Sequence, residues 1–510
     1  MSRYDALQQL LLAPLKATPE KVALRAGMQA LSYAELCDFI QKVAQGLCST
    51  GIAKGDRVAW YLPNGIEATC VTLACYQIGA VAVPLNYRYV TEEVDDVVAR
   101  TEASLLVYSA DRTDVVQPVL LARGVSSVVV GGEPGQGRAF DALLTDGMLG
   151  QCTPVSADDP ALILFTSGST GHPKGVVHSQ AGVFQAIDQS RRLFDFQATD
   201  VVLVGKAISH AGGLQTQMLP ALLAGSEVLL AAKPTPAQAV EMIAEYGVTE
   251  YGMLASDLLD FIEYLEQSQH DLPSLTNAIG SGDSVPADLH HRFRDLLGWE
   301  VMEGSGMTEV GCYYSANPRY GKRKWGSLGV PTPGTKLRII KDDGSDCEVD
   351  QHGEIVVQMP SATIGYWHDP TATQDLFRDG WLHTGDLGYQ DADGYVWFVG
   401  RKKLMIIRRG SNIAPAEVEN VLDEHPAVHA SIVVGVSDPH DGQVPVACVA
   451  LVDEAADDSE AAIRDFLQQH LAAYKNPVDY LFLAELPRTG TGKFDRHKLQ
   501  TMAQERLGRV

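Results

Sequence analysis

Between about residues 55 and 400, short apolar runs alternate with stretches whose apolar positions recur at helical spacing. RVAWYLP (57–63) is followed by a helical pattern and then by AVAVPLN (80–86), and ALILFTS (161–167) by VFQAIDQSRRLF (183–194). Such alternation predicts βαβ units, a largely parallel sheet with helices packed on it. From about 325 to 400 the texture changes to closely spaced strand signals. GEIVVQM and GYVWFVG lie between turn sequences such as DDG (342–344) and DADG (391–394). Beyond Gly400 the pattern predicts a compact α+β unit. It has a helix at 415–424, strands near 430–436 and 445–452, a helix near 459–472, a strand near 479–484 and the loop PRTGTGKFDR (487–496). The expected fold class is therefore α/β. A large N-terminal domain of several subdomains, with mostly parallel sheets and a β-rich segment, is expected over 1–402, and a small α+β C-terminal domain over 403–510. At the N-terminus, Leu7, Leu10, Leu11 and Leu15 at helical spacing predict a surface helix rather than a signal peptide.

Length and charge narrow the field. A chain of 510 residues is too long for one compact core. With 40 basic against 64 acidic residues the net charge is −24, which argues against a nucleic-acid or anionic-membrane binder. The cysteines at 37, 48, 70, 75, 152, 312, 347 and 448 form no C-x-x-C pair, so reduced thiols in a cytoplasmic protein are expected. No stretch approaches the roughly 20 apolar residues that span a bilayer.

Candidate chemistry sits in five short motifs. TSGSTGHPKG (166–175) looks like a phosphate loop, yet it fails the G-x-x-x-x-G-K-[ST] pattern. Counted from Gly168, the second glycine falls on Pro173 and the hydroxyl on Gly175. Its glycines still free backbone N–H groups to turn inward, its hydroxyls add donors and Lys174 adds charge, which suits a polyphosphate. A flexible linker has a similar composition, but here an apolar strand leads in and β-branched Val176–Val177 lead out. In EGSGMTE (303–309), Thr308 can donate to a phosphate oxygen and Glu309 can hold Mg²⁺. In GWLHTGDLG (380–388), Asp386 can accept both hydroxyls of a ribose. Arg401 offers a fixed-charge fork, and Lys493 is a cation on a loop bracketed by glycines. RKKLMIIRR packs five cations into nine residues of an acidic chain.

TSGSTGHPKG, GMTE, GWLHTGD, GRKK and PRTGTGK, in that order, resemble the core motifs of the adenylate-forming superfamily. That superfamily comprises the AMP-forming acyl- and aryl-CoA synthetases, nonribosomal adenylation domains and beetle luciferases. LSYAEL (31–36), LNYRYVTEEV (85–94), WGSLGVPTPG (325–334) and SNIAPAEVE (411–419) extend the resemblance over nearly the whole chain. It implies that a carboxylic acid attacks the α-phosphate of ATP, giving an acyl-adenylate and pyrophosphate, and that the acyl group then passes to the thiol of coenzyme A. The loop residues Thr166, Ser167, Gly168, Ser169, Thr170, Gly171 and Lys174 would cradle the departing phosphates. Gly282, Asp283, Ser305, Gly306 and Met307 would lie with the nucleotide, Thr308 would contact the α-phosphate, and Glu309 would hold Mg²⁺. Asp386 and Arg401 would hold the ribose, and Lys493 would be the catalytic lysine. Lys403 would be the hinge of a mobile C-terminal domain, and Gly410, beside Arg408 and Arg409, would lie on the pantetheine path.

Two positions depart from the pattern. Ser305 stands where the superfamily usually has an aromatic residue stacked on adenine, and Leu404 where an acidic residue commonly follows the hinge. ISHAGGL (208–214) falls where relatives close over the acyl group, so His210 is a candidate gate or carboxylate contact. No Asp for an α-ammonium follows it, which favours a plain carboxylic acid over an amino acid. Loading of a carrier-protein thiol and a non-catalytic binding module are the alternatives. No nucleic-acid partner or integral membrane segment is expected, and a homodimer is left open.

Overall fold

The computed structural model describes residues 7–132, 137–145, 154–166, 173–231, 233–268, 270–281, 285, 287–409, 411–452, 459–489 and 493–508. Two compact units emerge, one of residues 1–336 with 357–382, the other of 337–356 with 383–510.

The first unit holds two sheets. In one, Arg57–Tyr61, Val81–Pro84, Leu105–Ser109 and Ser126–Val130 run parallel, and Pro160–Thr166 (β1) joins parallel to Val81–Pro84. Lys174–Ser179 (β2) returns antiparallel to β1, and Gly365–Tyr366 pairs with its outer edge. The second sheet is built on Val201–Val204 (β3), Glu250–Leu254 (β4), Asn277–Ser281 (β5) and Met302–Met307 (β6), all parallel. Glu227–Leu230 flanks β3 in parallel on its other side. Cys312–Ala316 (β7) turns back antiparallel to β6. The predicted βαβ alternation is thus realised twice.

Burial on both faces explains why the strands read as continuous apolar runs. Successive residues point to opposite faces. Val204 joins a core with Trp60, Leu162, Leu164 and Ile187, whereas Leu203 joins a second core with Tyr251, Phe261 and Phe293. The helix Ile66–Ile78 is apolar all round and almost wholly buried. The N-terminal expectation needs correction: the helix begins only at Leu12, and Leu7, Leu10 and Leu11 precede it and lie buried in the main core. Among the described residues no helix is long and apolar enough to cross a membrane.

In the second unit Val396–Arg401 (β9) pairs antiparallel with residues 386–390 of the strand Trp381–Gln390 (β8). Beyond them a five-stranded sheet is centred on the long antiparallel pair Val428–Asp438 and Gly442–Leu451, with Asp479–Phe482 added in parallel. Val433, Ala447 and Val449 pack on one face against Val418, Leu422 and Ile463; Ile432, Val434 and Val446 pack on the other with Leu499 and Ala503. This is the α+β pattern expected after Gly400. Lys402 and Lys403 fall inside this unit, and Lys402 Nζ lies 3.2 Å from both Asp342 Oδ1 and Glu354 Oε2.

Candidate active site

The phosphate-loop candidate is the loop of a β-hairpin. Thr166 ends β1, Lys174 begins β2, and the two are register partners. A P-loop leads from a strand into a helix; here the chain re-emerges as the antiparallel strand β2. Ser167, Gly168, Ser169, Thr170 and Gly171 lie outside the described residues. The base of the hairpin is clamped. Arg100 Nη1 donates to Pro173 O at 2.6 Å, and its guanidinium lies 5.2 Å from the Phe165 ring centre. The Trp367 amide donates to Gly175 O at 2.7 Å and its indole to Arg100 O at 3.0 Å.

The second candidate lies at the β6–β7 turn. Ser305, Gly306 and Met307 are on β6, Thr308–Val310 form a single tight turn, and Gly311 takes a left-handed φ of 69° that reverses the chain. Three groups fix this turn. His178 of β2 donates from Nε2 to Thr308 O at 2.7 Å. Thr363 N donates to Glu309 O at 2.7 Å, and the Tyr366 hydroxyl to Glu309 Oε1 at 2.7 Å. His178 has no exposed surface, and burial pushes its imidazole down to about 4, so the neutral ring is the donor. Burial first, and the Glu309 carboxylate second, push the Tyr366 phenol up, so it too stays a donor.

Tyr366 also joins the two candidates. Its ring centre lies 4.8 Å from Lys174 Nζ while its hydroxyl holds Glu309. A cation and a carboxylate are thereby held on one aromatic side chain without neutralising each other directly. Ser305, at the place of the missing aromatic residue, donates to the Tyr314 hydroxyl at 2.7 Å, so a pair of hydroxyls occupies that position. Gly282 and Asp283 lie outside the described residues; next to them, Val285 N donates to Glu303 Oε1 at 3.0 Å. His210 is half-buried and caps the helical turn Ala211–Gly213, which continues as a π-helical turn over Leu214–Met218.

In the second unit Asp386 and Arg401 are register partners on β8 and β9, with Arg401 Nε 2.8 Å from Asp386 Oδ1. Asp386 is buried, Arg401 half-exposed, and Gly385 turns the chain with φ 72° just before the acid. Lys403 is exposed. Arg408 and Arg409 share Asp441, at 2.8 and 2.6 Å, and their hydrogen bonds hold its carboxyl below the usual range. Gly410 lies outside the described residues. Lys493 is exposed, its carbonyl accepts from Thr489 N at 2.7 Å, and beside them Arg488 pairs with Phe494.

Arg100, His178, Thr363, Tyr366 and Trp367 had gone unnoticed in the sequence. The aromatic pair Tyr366–Trp367 behind Gly365 was a usable signal; His178 inside an apolar strand pattern was not.

Comparison with known proteins identifies the family. The AMP-binding enzyme model matches residues 13–367, and the model for the C-terminal domain of the same enzymes matches 417–493. The chain belongs to the AMP-binding enzyme family and is an adenylate-forming acyl-CoA ligase. A feruloyl-CoA synthase of Amycolatopsis sp is 36% identical over 94% of this chain and 95% of its own. An indoleacetate–CoA ligase of Aromatoleum aromaticum is 34% identical over 93% and 94%. Among solved structures, ATP-bound MatB of Rhodopseudomonas palustris has a TM-score of 0.92 at 29% identity, covering 98% of this chain and 99% of that one.

Proposed function

We propose that this enzyme activates a plain carboxylic acid with MgATP and transfers the acyl group to coenzyme A, with the residues above in the following roles. The observation that carries the assignment is the Lys174–Tyr366–Glu309 connection, which ties the base of the glycine-rich hairpin to the Thr308–Glu309 turn. The fixed cation suits the β- and γ-phosphates, and the fixed carboxylate suits the metal that accompanies them.

A carboxylate is a poor acyl donor because oxide would have to leave. Attack of its oxygen on the α-phosphorus, with loss of pyrophosphate, turns that oxygen into part of a phosphate leaving group. The attack brings an anion to a polyanion, so fixed cations and donors must offset the repulsion. Lys174 and the hairpin loop hold what leaves, Thr308 donates to the α-phosphate, and Asp386 with Arg401 holds the ribose. Lys493 bridges the carboxylate and the α-phosphate while charge moves between them. Glu309 fits Mg²⁺: it is a hard oxygen donor, 9% exposed, and Tyr366 fixes one oxygen. Among the described residues no cluster of three or more His, Cys, Asp or Glu could hold a metal alone. Mg²⁺ held by one carboxylate and substrate phosphates needs no such cluster, and when bound it offsets phosphate charge.

In the second step the thiol attacks the acyl carbon and AMP leaves. Lys493 must withdraw first, and rotation of residues 403–510 about Lys403 supplies that motion. Arg408 and Arg409 then face the phosphates of coenzyme A, and His210 gates the acyl site. The relatives' names favour coenzyme A over a carrier-protein thiol. Acid-dependent exchange of labelled pyrophosphate into ATP tests the first step: exchange with at least one acid is expected, and none across a broad panel defeats the proposal.

A further inference from the structure

Carbonyls two residues apart along a strand leave it on the same edge. On the outer edge of β2, Val177 O accepts from Ile364 N at 2.9 Å and Gly175 O from Trp367 N at 2.7 Å. The extended run that supplies these donors ends at His368, whose φ is 54°. For the next carbonyl in the series, Pro173 O, the donor is a side chain instead: Arg100 Nη1 at 2.6 Å. Arg100 lies outside every motif quoted above.

The arginine is itself held from several sides. It stands in the last turn of the helix Thr91–Thr101, whose final four carbonyls have no partner within the helix. Val98 O and Ala99 O accept from Ala103 N and Glu102 N, and Thr101 O accepts from Arg57 Nε. The fourth, Arg100 O, accepts from the Trp367 indole at 3.0 Å. One residue therefore accepts from Trp367 through its backbone and donates to Pro173 through its side chain. Asp96, one turn back in the helix, lies 3.1 Å from Nη1, and the Phe165 ring centre lies 5.2 Å from the guanidinium. Phe165 is the register partner of Gly175. A methyl group at Gly175 would stand 3.2 Å from Phe165 Cζ and 3.3 Å from Trp367 Cβ, so this ring of contacts has little slack.

Lys174 stands between the two held carbonyls, those of Pro173 and Gly175. Fixing both fixes the backbone from which Lys174 Nζ reaches the Tyr366 ring, 4.8 Å from its centre. We infer that Arg100 is a positioning residue for the first half-reaction. By holding Pro173 O it sets the base of the glycine-rich hairpin and the aim of Lys174. It thereby strengthens the grip on the β- and γ-phosphates without touching the nucleotide. This inference rests on the reading above that the hairpin holds the departing phosphates, and it adds the residue that keeps the hairpin in place.

The test compares two probes on the purified full chain by titration calorimetry: MgATP, which carries the β- and γ-phosphates, and AMP, which does not. Arg100→Met keeps the aliphatic stem over Phe165 and removes the donor. MgATP should bind about tenfold more weakly, the lower end of what loss of a charge-assisted hydrogen bond produces, because Arg100 acts through Lys174. AMP should stay within twofold of the native value, a split that general damage to the fold would not give. If Arg100→Met does not fold, Trp367→Phe, which removes only the indole donor to Arg100 O, carries the same test with about a threefold loss on MgATP alone. MgATP binding at the native value in the variant used, or an equal loss for AMP, overturns the inference. Lys174→Met is measured alongside. If it weakens MgATP against AMP while the Arg100 variant does not, the inference falls and the phosphate-hairpin reading stands. If neither variant weakens MgATP against AMP, both fall.

Discussion

Tyr366→Phe isolates one hydrogen bond in the proposed nucleotide site. The ring stays, and with it the contact to Lys174 at 4.8 Å; only the hydroxyl that donates to Glu309 Oε1 at 2.7 Å is lost. A hydrogen bond to a charged group contributes about 1.5–3 kcal/mol. At 1.36 kcal/mol per factor of ten, that is a loss of roughly 10- to 150-fold in kcat/KM if the bond matters fully in the transition state. Because Glu309 is the proposed metal ligand, the loss should appear mainly in the ATP and Mg²⁺ dependence, with the KM for the acid changed little. The assay is acid-dependent pyrophosphate exchange, titrated separately in ATP, Mg²⁺ and acid. Tyr366→Leu, which also removes the ring from Lys174, should be worse, and Glu309→Gln worse again. A Tyr366→Phe enzyme within twofold of the native one at all Mg²⁺ concentrations would refute the idea that this hydroxyl organises Glu309.

Lys493→Ala should abolish pyrophosphate exchange while thioester formation from supplied acyl-adenylate persists; equal loss in both assays would defeat the two-step role given to Lys493. Asp386→Asn should raise the KM for ATP by about tenfold or more, and a rise confined to the KM of the acid would place Asp386 elsewhere. His178 supplies a pH test. Its folded pKa of about 4 lies below its ordinary 6.5, so the unfolded chain takes up a proton first as pH falls. Stability is therefore lost progressively between pH 6.5 and 4, by about 3 kcal/mol from this residue. His178→Leu should flatten that part of the melting-temperature profile, and an unchanged slope would show that His178 is not buried as a neutral ring.

The α/β class, the change of texture after residue 325 and the small C-terminal α+β unit were legible because each rests on local periodicity. Strands buried on both faces read as apolar runs, and the Gly–Asp turns punctuate them. The candidate site residues were legible for a related reason: polar residues that break an apolar run, such as Thr166, Thr308 and Asp386, stand out. What holds those residues in place was not legible, because the contacts are distant in sequence. His178 meets Thr308 across 130 residues, Tyr366 meets Glu309 across 57, and Trp367 meets Arg100 across 267. No local pattern encodes such pairs. The hairpin form of TSGSTGHPKG was also hidden, since its composition fits a turn into either a helix or a strand. The π-helical turn at Leu214–Met218 reads as ordinary helix in the sequence. At the N-terminus, leucine spacing gave the right apolar face and the wrong helix limits, because Leu7, Leu10 and Leu11 are buried from irregular turns.

The central claim is that one active site makes an acyl-adenylate and hands its acyl group to coenzyme A. The direct measurement is a product balance on the purified full chain with ATP, Mg²⁺, an accepted acid and coenzyme A. AMP, pyrophosphate and acyl-CoA should appear in a 1:1:1 ratio, and omission of coenzyme A should leave adenylate bound with pyrophosphate released. ADP in place of AMP, or AMP without any thioester, would contradict the account.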